Sequence, residues 1–291
     1  MVRCCRLPRS AKVRILLMTE LPQMNTARFF KCALQVNPAG YIGYRGQQQV
    51  LSEAEYNEQL LAAALEAGIK VIGLADHGSV TAVESIRALF NQHDIVVFPG
   101  FEIASSEKIH FVCLFAEDTS SQALYRHLGA LGVDERNPAA PVKQAAAQII
   151  EYINGKGGFI YAAHSTNDDG VLKRRMDHIW QHKGLLAAQI PGSIEDLKGV
   201  ESDFYRKAFL NKDPNYRRER EMAAINAADV AKPEDIKADG ASCLIKMTRP
   251  CFASFKQAFL DAGSRVRLNS DKPESFASAI ERVRFVGGYL E

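Results

Sequence analysis

The stretch KCALQVNPAGY (residues 31–41) begins with a mostly apolar run, KCALQV, of the kind that forms a strand buried on both faces. Six further runs of this kind follow it along the chain: KVIGLA, DIVVFPG, IHFVCLF, GGFIYAA, LLAAQIP and EMAAINA. Two polar residues, Gln35 and Asn37, lie at the end of the first run. The stretch therefore predicts the first strand of a sheet, with two amide side chains at its carboxyl end.

Segments of helical period separate these runs, and they predict helices over residues 52–68, 80–92, 141–156, 194–210 and 250–262. In the first of them, Ser52 and Glu55 have the spacing of a capping box. Strands that alternate with helices favour an α/β fold with a parallel sheet. About seven such units suit a closed or nearly closed barrel better than an open sheet. An open doubly wound sheet is the alternative, although no glycine-rich phosphate loop follows any strand.

Charge and cysteine usage restrict the class of protein. The net charge of +2 falls to −3 once the five basic residues of the first 17 positions are set aside, so the body of the chain is not a general polyanion binder. No apolar run is long enough for a signal peptide or a membrane span. The six cysteines show no CxxC spacing, which indicates a reducing, cytoplasmic location without structural zinc or disulfides.

Composition also predicts three regions. Residues 1–28 form a basic leader, which is either disordered or lies upstream of a true start at Met18 or Met24; a nucleic-acid-binding arm is the alternative. Residues 29–268 form the barrel domain. Residues 269–291 contain a polar linker followed by a new strand pattern, RVRFVGGYLE, which is typical of a chain that continues into another domain.

Histidines and carboxylates stand at the ends of several predicted strands, where the loops of a parallel barrel converge. Imidazole and carboxylate groups suit zinc, manganese or iron, although each residue alone is also compatible with a capping or core role. The candidates are Asp76, His77, Glu102, His110, His164 and Asp229.

The motifs LADHGSV, VVFPGFEI with IHFVCLF, GGFIYAAHS and NAADVAKPEDI, in that order, resemble those of the PHP (polymerase and histidinol phosphatase) superfamily over residues 31–245. The resemblance implies a distorted (β/α)7, TIM-like barrel of PHP type, with a two- or three-metal centre that hydrolyses phosphoesters. It implies that Glu102 is a bridging carboxylate and that His110 and His164 complete one metal site. The remaining candidates, Asp76, His77 and Asp229, would serve neighbouring ions or position the attacking water.

Two departures from the family pattern concern the ligands. The family's first motif ends in His-x-His, whereas this chain has Gln35 and Asn37; its last motif is Asp-x-His, whereas Asp229 is followed by Val230 and Ala231. Amide oxygens can bind a hard cation but are weak donors to zinc. The resemblance thus implies a divalent metal, zinc or manganese, with fewer ions than a three-metal site.

A wider set of phrases, including AAQIPGS, LNKDPNYRRERE and CLIKMTRP, resembles the amino-terminal part of bacterial proteins that fuse a PHP-like domain to an SMC- or RecN-like ATPase. That resemblance implies an ATPase partner, in a longer chain or from a neighbouring gene, and a context of antiphage defence. It also implies that residues 269–291 contain a linker and the first strand of a truncated ATPase head. Basic clusters at Lys173–Arg175 and at Arg217, Arg218 and Arg220 could hold phosphates near the mouth of the barrel.

Three functions remain open. The first is a metal-dependent phosphoesterase or nuclease. The second is a catalytically inactive PHP-like module that binds a nucleotide, a nucleic acid or a partner ATPase, which the missing imidazoles favour. The third is an aldolase- or amidohydrolase-like barrel, for which the chain lacks an obvious Schiff-base lysine and a His-x-His pair.

Overall fold

The computed structural model describes residues 26–41, 50–167 and 169–271. Most of the predicted leader, and the predicted linker and strand after residue 271, lie outside these ranges. The strands are β1 (Arg28–Val36), β2 (Ile69–Leu74), β3 (Val96–Phe98), β4 (Gly100–Ala104), β5 (His110–Leu114), β6 (Phe159–Ala162), β7 (Ala187–Gln189), β8 (Ala223–Ile225), β9 (Cys243–Met247) and β10 (Val266–Leu268). The helices are α1 (Glu53–Glu66), α2 (Val83–Asn91), α3 (Ser121–Ala130), α4 (Ala146–Gly155), α5 (Asp177–Trp180), α6 (Ser202–Phe209), α7 (Phe252–Ala258) and α8 (Ala262–Arg265).

The strands form two five-stranded sheets, with the orders β10-β9-β1-β2-β3 and β4-β5-β6-β7-β8. Neither sheet closes on itself, so the (β/α)7 barrel is not confirmed, although the α/β class is. The sheets are also mixed: β5 runs antiparallel to β4 and β6, and β9 runs antiparallel to β1 and β10. The chain passes from one sheet to the other at Pro99, between β3 and β4, where a proline has no N–H to donate to a ladder.

Two isolated parallel bridges connect the sheets. Val36, at the end of β1, pairs with Val230. The Asn37 amide donates to the Val230 carbonyl, and the Val230 amide donates to the Gln35 carbonyl. His77, after β2, pairs with Glu102 of β4, whose amide donates to the Asp76 carbonyl at 2.9 Å. The first bridge is adjacent in sequence to Gln35, Asn37 and Asp229, and the second consists of His77 and Glu102. The two bridges therefore fix the backbone of the site.

Apolar side chains fill two layers. One lies between the strands and the surrounding helices, and the other lies between the two sheets. Phe255 of α7 belongs to the inner layer, with its ring centroid 5.0 Å from that of Phe98 and 4.9 Å from that of Phe159. Lys256 of the same helix donates to the carbonyl of Gly157, which precedes β6. Helix α7 therefore covers the inner core at the amino ends of the parallel strands, opposite the predicted site.

The predicted helices and strands agree best with the structure where a helix cap or a long apolar run marks the element. Helix α1 has both hydrogen bonds of the capping box between Ser52 and Glu55, whereas α6 occupies only the second half of predicted helix 194–210. Strands β4, β9 and β10 and helices α3 and α5 were not predicted, nor was α8 beyond its first residue. The four cysteines that the structure describes are free, as expected. In the described ranges, no helix is long and apolar enough to cross a membrane.

Candidate metal centre

The predicted site residues meet around Glu102, at the end of the sheets where the parallel strands finish. The Glu102 side chain is buried, with 1% of its surface exposed. Its Oε1 lies 2.7 Å from His110 Nδ1 and 3.9 Å from His164 Nε2. Its Oε2 lies 3.7 Å from His77 Nε2. His110 reaches this end although it begins its strand, because β5 runs antiparallel to β4.

Ligand atoms of these residues fall into two groups whose members all lie within 4.8 Å of one another. One consists of His77, Glu102 and His110, and the other of Glu102, His164 and Asp229. The sequence had grouped Glu102, His110 and His164 as one site; in the structure, Glu102 is instead common to two groups. His164 lies in the second, where its Nε2 is 3.7 Å from Asp229 Oδ2.

Gln35 lies between the two carboxylates. Its Nε2 donates to Glu102 Oε2 at 2.9 Å and to Asp229 Oδ1 at 2.7 Å, and Asn37 Nδ2 lies 3.5 Å from the same Asp229 oxygen. The β1–β2 register shifts between Ala33 and Val36, at the position of this glutamine. An NH2 group between two carboxylates occupies a place where positive charge is favourable.

The amide oxygens of the two residues have no such partner. Gln35 Oε1 and Asn37 Oδ1 are buried and accept no hydrogen bond within the described residues. A buried acceptor without a donor costs about 1–3 kcal/mol. A cation could satisfy such oxygens, and the imidazoles and carboxylates of the two ligand groups are donors that suit a divalent cation.

The protonation of the site follows from burial and from mutual charge. Burial alone would raise the pKa of Glu102, but the His110 hydrogen bond and the neighbouring imidazoles hold this pKa below its usual value. Burial lowers the pKa of His77, and Glu102 offsets this only in part. Burial also acts to lower the pKa of His110, but the hydrogen bond to Glu102 raises it overall. Glu102 is therefore ionised and His77 neutral near pH 7, which are the forms that bind metals.

Asp76 lies beside the two groups and belongs to neither. It lines a cavity of about 360 Å³ together with His77, Ser79 and Glu53. Burial raises the pKa of Asp76 to about 6, against the effect of hydrogen bonds from the His77 amide and Ser79. This carboxyl faces a space large enough for a small substrate rather than the Glu102 oxygens.

The loop after β6 holds His164 in a strained backbone conformation, with φ at +48°. The His164 amide donates at 2.7 Å to Oε1 of Gln189, whose buried side chain belongs to β7. A Cβ at Gly170 would lie 2.1 Å from the His164 carbonyl oxygen, so only glycine fits there. Gln189 and Gly170 thus set the position of this imidazole.

Sequence reasoning missed three supporting residues. Tyr41 stacks on the His77 ring, with centroids 5.7 Å apart. The Tyr56 hydroxyl donates to the carbonyl of Asn37 at 3.0 Å and so holds the end of β1. Gln189 could have been found, because it is the one polar residue in the apolar run LLAAQIP.

The two basic clusters lie at different ends of the sheets. Lys173–Arg175 follow the His164 loop, and all three side chains form ion pairs, with Glu201 or Asp169. Arg217, Arg218 and Arg220 precede β8, at the amino ends of the parallel strands. The expectation that both clusters lie near the mouth is therefore wrong for the second one.

Comparison with known proteins gives matches in structure but not in sequence. No family model matches the chain, and no curated protein is significantly similar to it. A two-domain protein from Bacteroides vulgatus containing a predicted PHP-like metal-dependent phosphoesterase matches with a TM-score of 0.52 and 13% identity, over 80% of this chain and 63% of that one. The lesion-specific endonuclease PfuEndoQ from Pyrococcus furiosus matches with a TM-score of 0.56 and 11% identity, over 82% of this chain and 58% of that one.

Endonuclease Q in complex with a 27-mer duplex that has an abasic lesion at the active site also matches, with a TM-score of 0.51 and 10% identity, over 83% of this chain and 58% of that one. The chain thus spans about three fifths of the length of these structures. Identities this low establish a common fold and leave activity open. The chain shares its fold with a protein that contains a predicted PHP-like metal-dependent phosphoesterase and with a lesion-specific endonuclease.

Proposed function

We propose that this chain is a PHP-superfamily domain that hydrolyses phosphoester bonds in a small molecule or a nucleic acid, with a divalent metal as cofactor. The observation that carries the proposal is the pair of ligand groups that share the buried carboxylate of Glu102. A shared carboxylate between imidazole-containing groups is the arrangement expected of a hydrolytic metal centre.

The donor set supports zinc or manganese. His77, Glu102 and His110 would hold one ion, and Glu102, His164 and Asp229 a second. A divalent ion held there would act as a Lewis acid and would lower the pKa of a water molecule. Gln35 would reduce the number of ions, because its NH2 group already donates hydrogen bonds to both Glu102 and Asp229.

The chain's own residues have further roles in this proposal. Asp76 and His77 line the cavity beside the ligand groups, where a phosphoester would enter. Asp76 and Asp229 would orient the attacking water as hydrogen-bond acceptors. Ser79 and the His77 amide hold the Asp76 carboxylate in place, so that the water is positioned before reaction.

The test is hydrolysis of generic phosphoesters and oligonucleotides by the purified full chain supplied with Mn²⁺ or Zn²⁺. We expect Glu102→Ala and His164→Ala to abolish turnover. His178→Ala, which removes an exposed histidine on α5, is the matched control. Absence of turnover by the metal-replete protein, or unchanged rates in the two site variants, would contradict the proposal.

One observation favours a second function, a catalytically inactive module that binds a nucleotide, a nucleic acid or a partner ATPase. The Gln35 amide donates to both Glu102 and Asp229, as a neutral substitute for a cation. In that case both the unmodified chain and Glu102→Ala would hold less than about a tenth of an equivalent of metal after purification.

The domain organisation is a separate proposal. We propose that residues 29–268 form a distorted (β/α)7 barrel, in which isolated bridges rather than continuous ladders connect the two sheets. We also propose that residues 1–28 are a leader. Residues 269–291 would join it to an ATPase in a longer chain or from a neighbouring gene, in a cytoplasmic system of antiphage defence. An open reading frame with a Walker loop downstream of codon 291 would support the fused arrangement.

A further inference from the structure

A second cavity lies at the amino ends of β7 and β8 and has a volume of about 510 Å³. Four cationic side chains and only one carboxylate, that of Glu219, line it; the cations are Lys183, Arg217, Arg218 and Arg220. Leu186, which also lines it, directly precedes β7, whose opposite end carries Gln189 and contacts the His164 loop. At about 3.3 Å per strand residue, the cavity is separated from the metal centre by roughly 10 Å of strand.

The cations of this cavity differ from those of the other basic cluster. Lys173, Arg174 and Arg175 are each neutralised by a carboxylate. By contrast, the four cations at the cavity form no ion pair within the part of the chain that the structure describes. Positive charge is therefore concentrated here although the body of the chain is acidic.

Arg218 is the central member of this group. Its Nε donates to the Arg220 carbonyl at 3.1 Å, and its Nη2 donates to the Leu185 and His182 carbonyls at 2.6 and 3.3 Å. Its Nη1 is buried and has no partner among the described residues. Burial, together with the charge of Arg220, lowers the Arg218 pKa to about 10. An anion at this position would remove the cost of an uncompensated buried cation.

The backbone around these arginines is fixed from two sides. Asn211 Oδ1 accepts from the Arg218 amide at 2.8 Å, and Asn211 Nδ2 donates to the Arg218 carbonyl at 2.9 Å. Gln181 Nε2 donates to the Arg217 carbonyl at 3.3 Å. A loop held in this way presents its cations without a large ordering cost when a ligand binds.

We infer that this cavity binds the phosphate groups of a nucleic-acid strand, at a second site separate from the metal centre. Guanidinium N–H groups donate charge-assisted hydrogen bonds to phosphate oxygens, and Nη1 is the one nitrogen of the Arg218 guanidinium that the described carbonyls leave without a partner. Lys183, Arg217 and Arg220 are exposed and line the same cavity, so a phosphate-bearing strand can reach several cations there. The inference does not rest on the proposed hydrolysis, because none of these residues belongs to the ligand groups.

The test is fluorescence anisotropy with a labelled single strand of about 12 nucleotides, in EDTA so that the metal centre does not contribute. The double variant Arg217→Gln/Arg220→Gln keeps the hydrogen bonds of the Arg218 side chain, because these go to backbone carbonyls. Arg126→Gln, which changes an exposed arginine of α3, is the matched control. We expect the double variant to weaken binding at least about tenfold and to reduce the slope of log K against log salt by about 1.4, since each lost contact removes about 0.7. Lys183→Gln should weaken binding in the same direction.

A neutral-backbone oligonucleotide of the same sequence should not bind. The inference would be overturned if the double variant and Lys183→Gln bound the strand as the unmodified chain does, with the same salt slope. It would also be overturned if the unmodified chain failed to bind the strand at about 50 mM salt. ADP or inorganic pyrophosphate binding as tightly as the oligonucleotide would overturn the assignment to a strand.

Discussion

Replacement of Gln35 by leucine removes both hydrogen bonds that its amide donates to Glu102 and Asp229, at 2.9 and 2.7 Å. A hydrogen bond to a charged group contributes about 1.5–3 kcal/mol. The Asp229 side chain is 14% exposed, so water can replace part of its hydrogen bond, whereas the Glu102 side chain is 1% exposed. We therefore expect the metal-free protein to lose about 3 kcal/mol of its free energy of unfolding.

The assay is urea denaturation of the unmodified chain and of Gln35→Leu, in EDTA and again with Mn²⁺. In the presence of the metal the loss should be smaller, because a bound cation neutralises the same carboxylates. Gln59→Leu, at an exposed position on α1, is the control and should change stability by less than about 0.5 kcal/mol. A loss below about 1 kcal/mol in EDTA would refute the role assigned to the Gln35 amide.

Three further outcomes are expected. Gln189→Ala removes the acceptor of the His164 amide and should weaken metal binding about 10-fold or more, measured by titration, while the thermal unfolding midpoint falls only slightly. Gly170→Ala should destabilise the chain in the same unfolding assay, since its Cβ meets the His164 carbonyl, whereas Gly155→Ala, with open space around it, should be neutral or stabilising. Phe255→Ala should cost about 3–5 kcal/mol in denaturation, because it empties the inner core; a loss near 1 kcal/mol would contradict that packing.

The strands were predictable because burial on both faces leaves a clear apolar signal. Each of the seven predicted runs contains a strand, from Cys32 in β1 to Ala223 in β8. Strand direction was the error. Only five residues, 105–109, connect β4 to β5, and a parallel crossover needs a dozen or more. The length of this connection could have predicted the antiparallel pair, had Glu102 been recognised as part of a strand.

The site was predictable in position but not in internal contacts. Strand ends brought Glu102, His110 and His164 to one place, and their role as ligands stays a prediction. The contacts of Gln35 could not be predicted, because they depend on the register shift between Ala33 and Val36. A polar residue in an apolar run indicates a buried partner but not its identity.

The central claim is that Glu102 organises a metal centre, and the metal content of the purified full chain tests it most directly. After loading with Mn²⁺ or Zn²⁺ and gel filtration, elemental analysis should find about one equivalent or more, and less than about a tenth in Glu102→Ala. His178→Ala should retain the full content, because this exposed histidine lies outside both ligand groups. Less than about a tenth of an equivalent in the unmodified chain, or equal contents in it and in Glu102→Ala, would contradict the claim.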